Sequence, residues 1–140
     1  MGLFATLFHT RVDTATKAAI RGEIDLAQAV EAHLRWKLRL QNYIEGKSDE
    51  KLDPMVICRD DQCTLGKWIH GPATDYFHDA EPFHELRADH AQFHFVAGNI
   101  VKSIQENDRA AAEKLFHGEY AQVSHKVMVA LTELNDLVRE

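Results

Sequence analysis

Apolar positions in this chain recur at intervals of three and four, and almost nowhere at two. Between about Glu23 and Glu45 the stripe runs Leu26, Val30, His33, Trp36, Leu40 and Ile44, the signature of a helix with one buried face. Gly46 is placed to act as the C′ residue that ends it. After Pro82 a second stripe carries Phe83, Leu86, His90, Phe93, His94, Ala97, Ile100 and Ile104. A third, started by Asn107 or Asp108 and running through Val138, carries Phe116, Tyr120, Val123, Val127, Leu131, Leu134 and Val138 in a nearly heptad rhythm. Shorter pieces complete the pattern: an amphipathic helix within residues 4 to 20 broken at Gly22, and one over Cys63 to His70 stopped by Gly71 and Pro72. Residues 47 to 62 read as loop, with one short apolar stretch, MVIC. The pattern of three long helices plus shorter pieces predicts an all-α helical bundle. Residues 1–21 form an N-terminal extension and residues 22–138 the bundle.

Composition narrows the function classes. The 140 residues suffice for one core, and 45% hydrophobic with 27% charged residues describes a globular chain. The formal net charge of −6, with no basic stripe on any expected helix, argues against a nucleic-acid partner. No apolar run approaches a membrane span, and the opening MGLFATLF is too short and lacks the basic leader of a signal peptide. Gly2 to Thr6 matches the myristoylation pattern, as six loosely defined positions often do by chance. Two cysteines, Cys58 and Cys63, fit a reducing cytoplasm better than a disulfide scaffold. Nine histidines are the oddity, and they raise the question of a metal.

His90 and His94 stand one helical turn apart on the same face, a spacing that lets two imidazoles reach one ion. Spacing alone decides little, since chance places roughly 0.6 such pairs among nine histidines in this length. Their position on the apolar stripe says more. Burying an imidazole without partners costs about 1–3 kcal/mol per unpaired group, and one shared ion removes that cost for several rings at once. His33 occupies the same kind of inward position on the first long helix. Cys63 opens its short helix, where the dipole favours a thiolate, and Gly66 permits close backbone approach while Trp68 can pack over the site. The competing description is of three core histidines hydrogen-bonded to backbone or water, with Cys63 a small buried hydrophobe. Cys58, at the end of MVIC, is the other possible thiol ligand, although packing is its expected role. His70, His78 and His84 are expected on exposed loops or helix starts, and His9, His117 and His125 on the surface.

With His33 followed by Trp36, then CTLGKW at 63–68, then HAQFH at 90–94, the chain resembles the chemoreceptor zinc-binding family, CZB. The intervals of 30 residues from His33 to Cys63 and 27 from Cys63 to His90 suit that pattern, and the resemblance covers about residues 22 to 138. It implies a four-helix bundle with additional short helices, often dimeric, that holds one zinc ion through His33, Cys63, His90 and His94. It also implies regulation of chemotaxis receptors or cyclic-di-GMP synthesis in bacteria. Family members are usually fused to a receptor signalling region or a diguanylate cyclase, which 140 residues leave no room for. The expected output therefore acts on a partner in trans, lies in the N-terminal 21 residues, or is absent.

The expected function is a sensor of zinc, or of oxidants such as hypochlorous acid through the zinc-bound Cys63. An enzyme is not expected, because four protein ligands leave no open coordination position and no poised nucleophile–base pair stands out. A hemerythrin-like di-iron bundle is the alternative of another class, although no H-x3-E pair occurs; a purely structural zinc scaffold is the third.

Overall fold

Four aspartates set where helices begin. The structure is a computed structural model that describes residues 12–77 and 80–139. Asp13 accepts from Thr16 N–H at the start of α1 (Thr14–Glu23), and Asp25 accepts from Gln28 N–H at the start of α2 (Leu26–Ile44). Asp53 caps the single turn α3 (Pro54–Ile57), and Asp108 caps α7 (Arg109–Leu115). Each such cap stabilises its helix by about 1 kcal/mol. The same role at α4 (Thr64–His70) falls to Cys63, whose sulfur accepts from Gly66 N–H at 3.3 Å. Next come α5 (Pro72–Phe77) and the longest helix, α6 (Glu81–Gln105), which has a proline in its first turn. A π-helical segment, Phe116–Tyr120, joins α7 to the final helix α8 (Ala121–Arg139).

Helix α8 packs along α1, α2 and α6, and α2 also packs on α6. The short helices fill the connection between α2 and α6, with α3 lying on α6 and α5 against α4 and α1. Every residue of the expected third stripe, from Phe116 to Val138, is buried. In α2 the stripe is narrower: Leu26, His33, Leu40 and Ile44 are buried, while Val30 and Trp36 are half-buried. Among the described residues there is no strand, and no helix is long and apolar enough to cross a membrane. The all-α expectation holds.

Several boundaries differ from the expectation, each for a physical reason. Helix α1 runs through Gly22 to Glu23, because a glycine inside a helix costs only about 1 kcal/mol and tertiary contacts outweigh it. Ile20 is fully buried there, and Arg21 donates a hydrogen bond to the Val138 carbonyl of α8. The MVIC stretch is not loop: Asp53 and Pro54 start a turn of helix there. Pro72 begins α5 rather than ending structure, a role its missing N–H suits at a first turn. The last helix is interrupted by the π segment. Ala112, Phe116 and Tyr120 are spaced by successive fours, a rhythm that drifts about 40° per turn from an α-helix, and a wider turn absorbs the drift. The chance match to a myristoylation pattern at Gly2 to Thr6, and also His9 and His78, lie outside the described residues.

Candidate metal centre

His33 comes from α2, Cys63 from the start of α4, and His90 with His94 from the middle of α6. Three separate elements thus bring one donor atom each, or two, to a single point. The four donor atoms lie within 4.8 Å of one another. Cys63 Sγ stands 3.4 Å from His90 Nε2 and 3.6 Å from His94 Nε2. All three histidines are buried, His90 completely, and Cys63 is half-buried.

Backbone carbonyls orient two of the rings. His33 Nδ1–H donates to the Ala29 carbonyl at 2.7 Å, one turn back on α2. His94 Nδ1–H donates to the Ile57 carbonyl at 3.0 Å, across from α6 to α3. With the proton fixed on Nδ1, each ring turns an Nε2 lone pair toward the cluster, the arrangement usual for metal-binding imidazoles. His33 packs edge-on to His90, His94 and Phe93, with ring centroids 5.2, 6.0 and 5.1 Å away. The aromatic ring against the site is thus Phe93. Trp68, expected over the site, turns instead to Phe77 and donates from Nε1 to Glu23 Oε1 at 3.1 Å.

The electrostatics favour neutral ligands before a metal arrives. Burial pulls the pKa values of His33 and His94 below the ordinary imidazole range, against the pull of the Ala29 and Ile57 carbonyls. Burial, with the neighbouring histidines, pushes His90 down to about 2. Burial also raises the Cys63 thiol, against the N–H groups that the sulfur faces. The metal-free cluster is therefore three neutral imidazoles and a protonated thiol.

This donor set fits a tetrahedral zinc ion. With Zn–N near 2.0–2.1 Å and Zn–S near 2.3 Å, tetrahedral angles put sulfur and nitrogen about 3.6 Å apart. The two sulfur–nitrogen separations here are 3.4 and 3.6 Å. Two ring nitrogens, His33 Nε2 and His90 Nδ1, are buried with no hydrogen-bond partner. Orphaning a buried polar group costs about 1–3 kcal/mol, and at His33 Nε2 an ion between the four donors removes that cost. Among the described residues no carboxylate belongs to the cluster. Three imidazoles and one thiolate suit zinc better than the hard, oxygen-seeking cations.

Two glycines hold the ligand segments in place, and only one stood out in the sequence. A Cβ at Gly66 would fall 1.7 Å from the Asp60 carbonyl oxygen, so the loop before Cys63 closes directly over α4 there. Gly98, one turn beyond His94, does the same for α3: a Cβ would lie 2.9 Å from Cys58 Cβ and 3.0 Å from the Pro54 carbonyl. No periodicity marks Gly98, since it sits on a helix face whose partner, α3, went unrecognised. Cys58 packs at that contact, with its thiol donating to the Met55 carbonyl at 3.3 Å, and stays out of the cluster. His70 pairs with Asp60 at 2.8 Å, an unexpected contact that also ties α4 to the loop, while His84, His117 and His125 are exposed as expected.

A helical bundle that brings three histidines and one cysteine to a single point defines a metal-binding domain. Residues 33–101 match the chemoreceptor zinc-binding domain, CZB, so the chain carries a domain of this zinc-binding family. The matched segment begins at His33 and contains Cys63, His90 and His94. No curated protein and no solved structure matches the chain.

Proposed function

We propose that this protein is a zinc-responsive regulatory domain in which His33, Cys63, His90 and His94 hold one Zn²⁺ and metal occupancy sets how the α3–α5 segment docks on the bundle. The observation that carries this is the convergence of four donor atoms from three elements, two of them aimed by backbone carbonyls. The ion supplies charge and four-fold ligation. The chain's own residues supply the rest: neutral imidazoles, a thiol that must lose its proton on binding, and helix packing that depends on the cluster being satisfied.

The α3–α5 segment is the part suited to respond. It is built of short helices, and two of its attachments to the bundle pass through the site: Cys63 at one end of α4 and the Ile57 carbonyl on His94. It also reaches α1, because the Glu23 carboxylate accepts from both Trp68 and Tyr76. Zinc occupancy would thus bias both the segment and the end of α1. We assign the output to a chemotaxis or cyclic-di-GMP partner, in a bacterial cytoplasm and from a homodimer, on the family's account alone. Catalysis has no place in this reading, since four protein ligands close the coordination sphere.

Oxidant sensing is a second use of the same site, favoured by the half-buried Cys63 sulfur lining a surface cavity. Hypochlorous acid would convert the thiolate to a sulfenic acid with loss of chloride, removing one ligand. Hydrogen exchange with and without zinc tests the principal reading. Zinc should slow exchange across residues 54–77 and at the end of α1, and equal exchange in both states would refute it.

A further inference from the structure

Two of the four cluster residues border a surface cavity, Cys63 half-buried and His94 buried behind its wall. Cys63 and His94 line a surface cavity of about 380 Å³, whereas His33 and His90 do not. A cavity of that size takes a small molecule, not merely water. Its rim is cationic: Arg39, Lys51 and Arg59 all line it. Arg39 lies 3.9 Å over the Trp36 ring, which forms another part of the wall. The acidic residue in the lining is Asp53, and one of its oxygens accepts from Met55 N–H as the α3 cap.

Carboxylates already sit where an anion would arrive. Glu50 holds Arg39 through two hydrogen bonds, of 2.7 and 3.2 Å, and Asp61 stands 3.6 Å from Arg59. Both pairs are solvent-exposed, and exposed pairs contribute only about 0–1 kcal/mol, so an incoming carboxylate can exchange with either. Guanidinium groups accept such exchange readily, because their planar fork matches carboxylate geometry.

Resting on the zinc assignment above, we infer that this cavity is a docking site for a small polycarboxylate, through which zinc is handed to and taken from the cluster by way of Cys63 and His94. The rim draws the anion in and places a carboxylate beside the two cluster residues that border the cavity. His33 and His90, behind them, remain as the inner pair. Exchange at this site is then assisted by the incoming ligand and sensitive to its charge.

The test compares zinc release to nitrilotriacetate, an anionic chelator, with release to neutral 1,10-phenanthroline, at low and high salt. The proteins are the full wild-type chain, Lys51→Glu/Arg59→Glu, and a control of equal charge, Lys114→Glu/Lys126→Glu, neither of whose sites lines the cavity. Wild-type release should rise in proportion to nitrilotriacetate concentration. The rim variant should slow release to nitrilotriacetate by about tenfold at low salt, with the difference shrinking at high salt. Its release to phenanthroline, and the control's release to both chelators, should stay within about twofold of wild type. Release independent of chelator concentration, or equal slowing in the rim variant and the control, overturns the inference while leaving the zinc site intact. A protein that takes up no zinc overturns the zinc assignment itself, and this inference with it.

Discussion

Trp68 Nε1 donates to Glu23 Oε1 across 3.1 Å, joining the helix that Cys63 opens to the last residue of α1. Tyr76 donates to the other oxygen of the same carboxylate at 2.6 Å. A ligand-bearing helix is thereby tied to an element more than forty residues away in sequence. Trp68→Phe keeps the ring and removes the donor. It should cost about 1 kcal/mol of stability and leave one zinc bound, while exchange at the end of α1 becomes insensitive to zinc. Hydrogen exchange on the variant checks this, and retained zinc-dependent protection of α1 would show that the link does not carry the signal.

Gly66 and Gly98 should tolerate alanine badly, for a steric reason rather than a backbone one. At Gly66 the new Cβ would meet the Asp60 carbonyl, so the loop leading to Cys63 has to move. At Gly98 it would push α3, and with it the Ile57 carbonyl that orients His94. Overpacking of this kind costs about 1–3 kcal/mol, and zinc affinity should fall about tenfold or more in each variant. Competition with a zinc-binding dye measures it. Gly22→Ala, with open space around its Cβ, should leave affinity unchanged.

The metal-free protein should lose stability on the acid side. His33, His90 and His94 have folded pKa values below 6.5, so below about pH 6.5 the unfolded chain binds protons that the folded chain refuses. Their contribution is fully present above that pH and is lost as pH falls toward the folded values, about 2 for His90. The urea midpoint of metal-free protein should therefore be lower at about pH 5 than at about pH 7.5. An unchanged midpoint would contradict burial of neutral imidazoles. Because burial raises the Cys63 thiol, zinc uptake near neutral pH should also release about one proton per chain.

Oxidation gives a separate test of Cys63. At modest excess, hypochlorous acid should release zinc from wild-type protein. Cys63→Ser loaded with zinc should release far less per oxidant added. Zinc retained by the wild type would remove oxidant sensing and leave metal sensing standing.

Much of this structure was legible because helical periodicity and metal-ligand chemistry are local patterns. The stripe from Phe116 to Val138 is buried at every expected position, and His33, His90 and His94 were conspicuous because imidazoles stood where leucine is the norm. Contacts set by tertiary geometry were not legible. The helical turn Pro54–Ile57 is too short for any periodicity, and Gly98 is explained only by the α3 backbone that rests on it. Proximity to Cys63 predicts Trp68 over the cluster, but α4 turns that ring toward Phe77 and Glu23. The carbonyls of Ala29 and Ile57, which aim two ligands, carry no sequence signal, since every residue offers one.

The central claim is that four side chains hold one zinc ion. Elemental analysis of protein purified without added metal, comparing wild type with Cys63→Ala and His94→Ala, addresses it most directly. The account predicts about one zinc per wild-type chain, lost or loosened in both variants while helicity largely survives. No zinc in the wild type, iron near two per chain, or full zinc in the variants would contradict it.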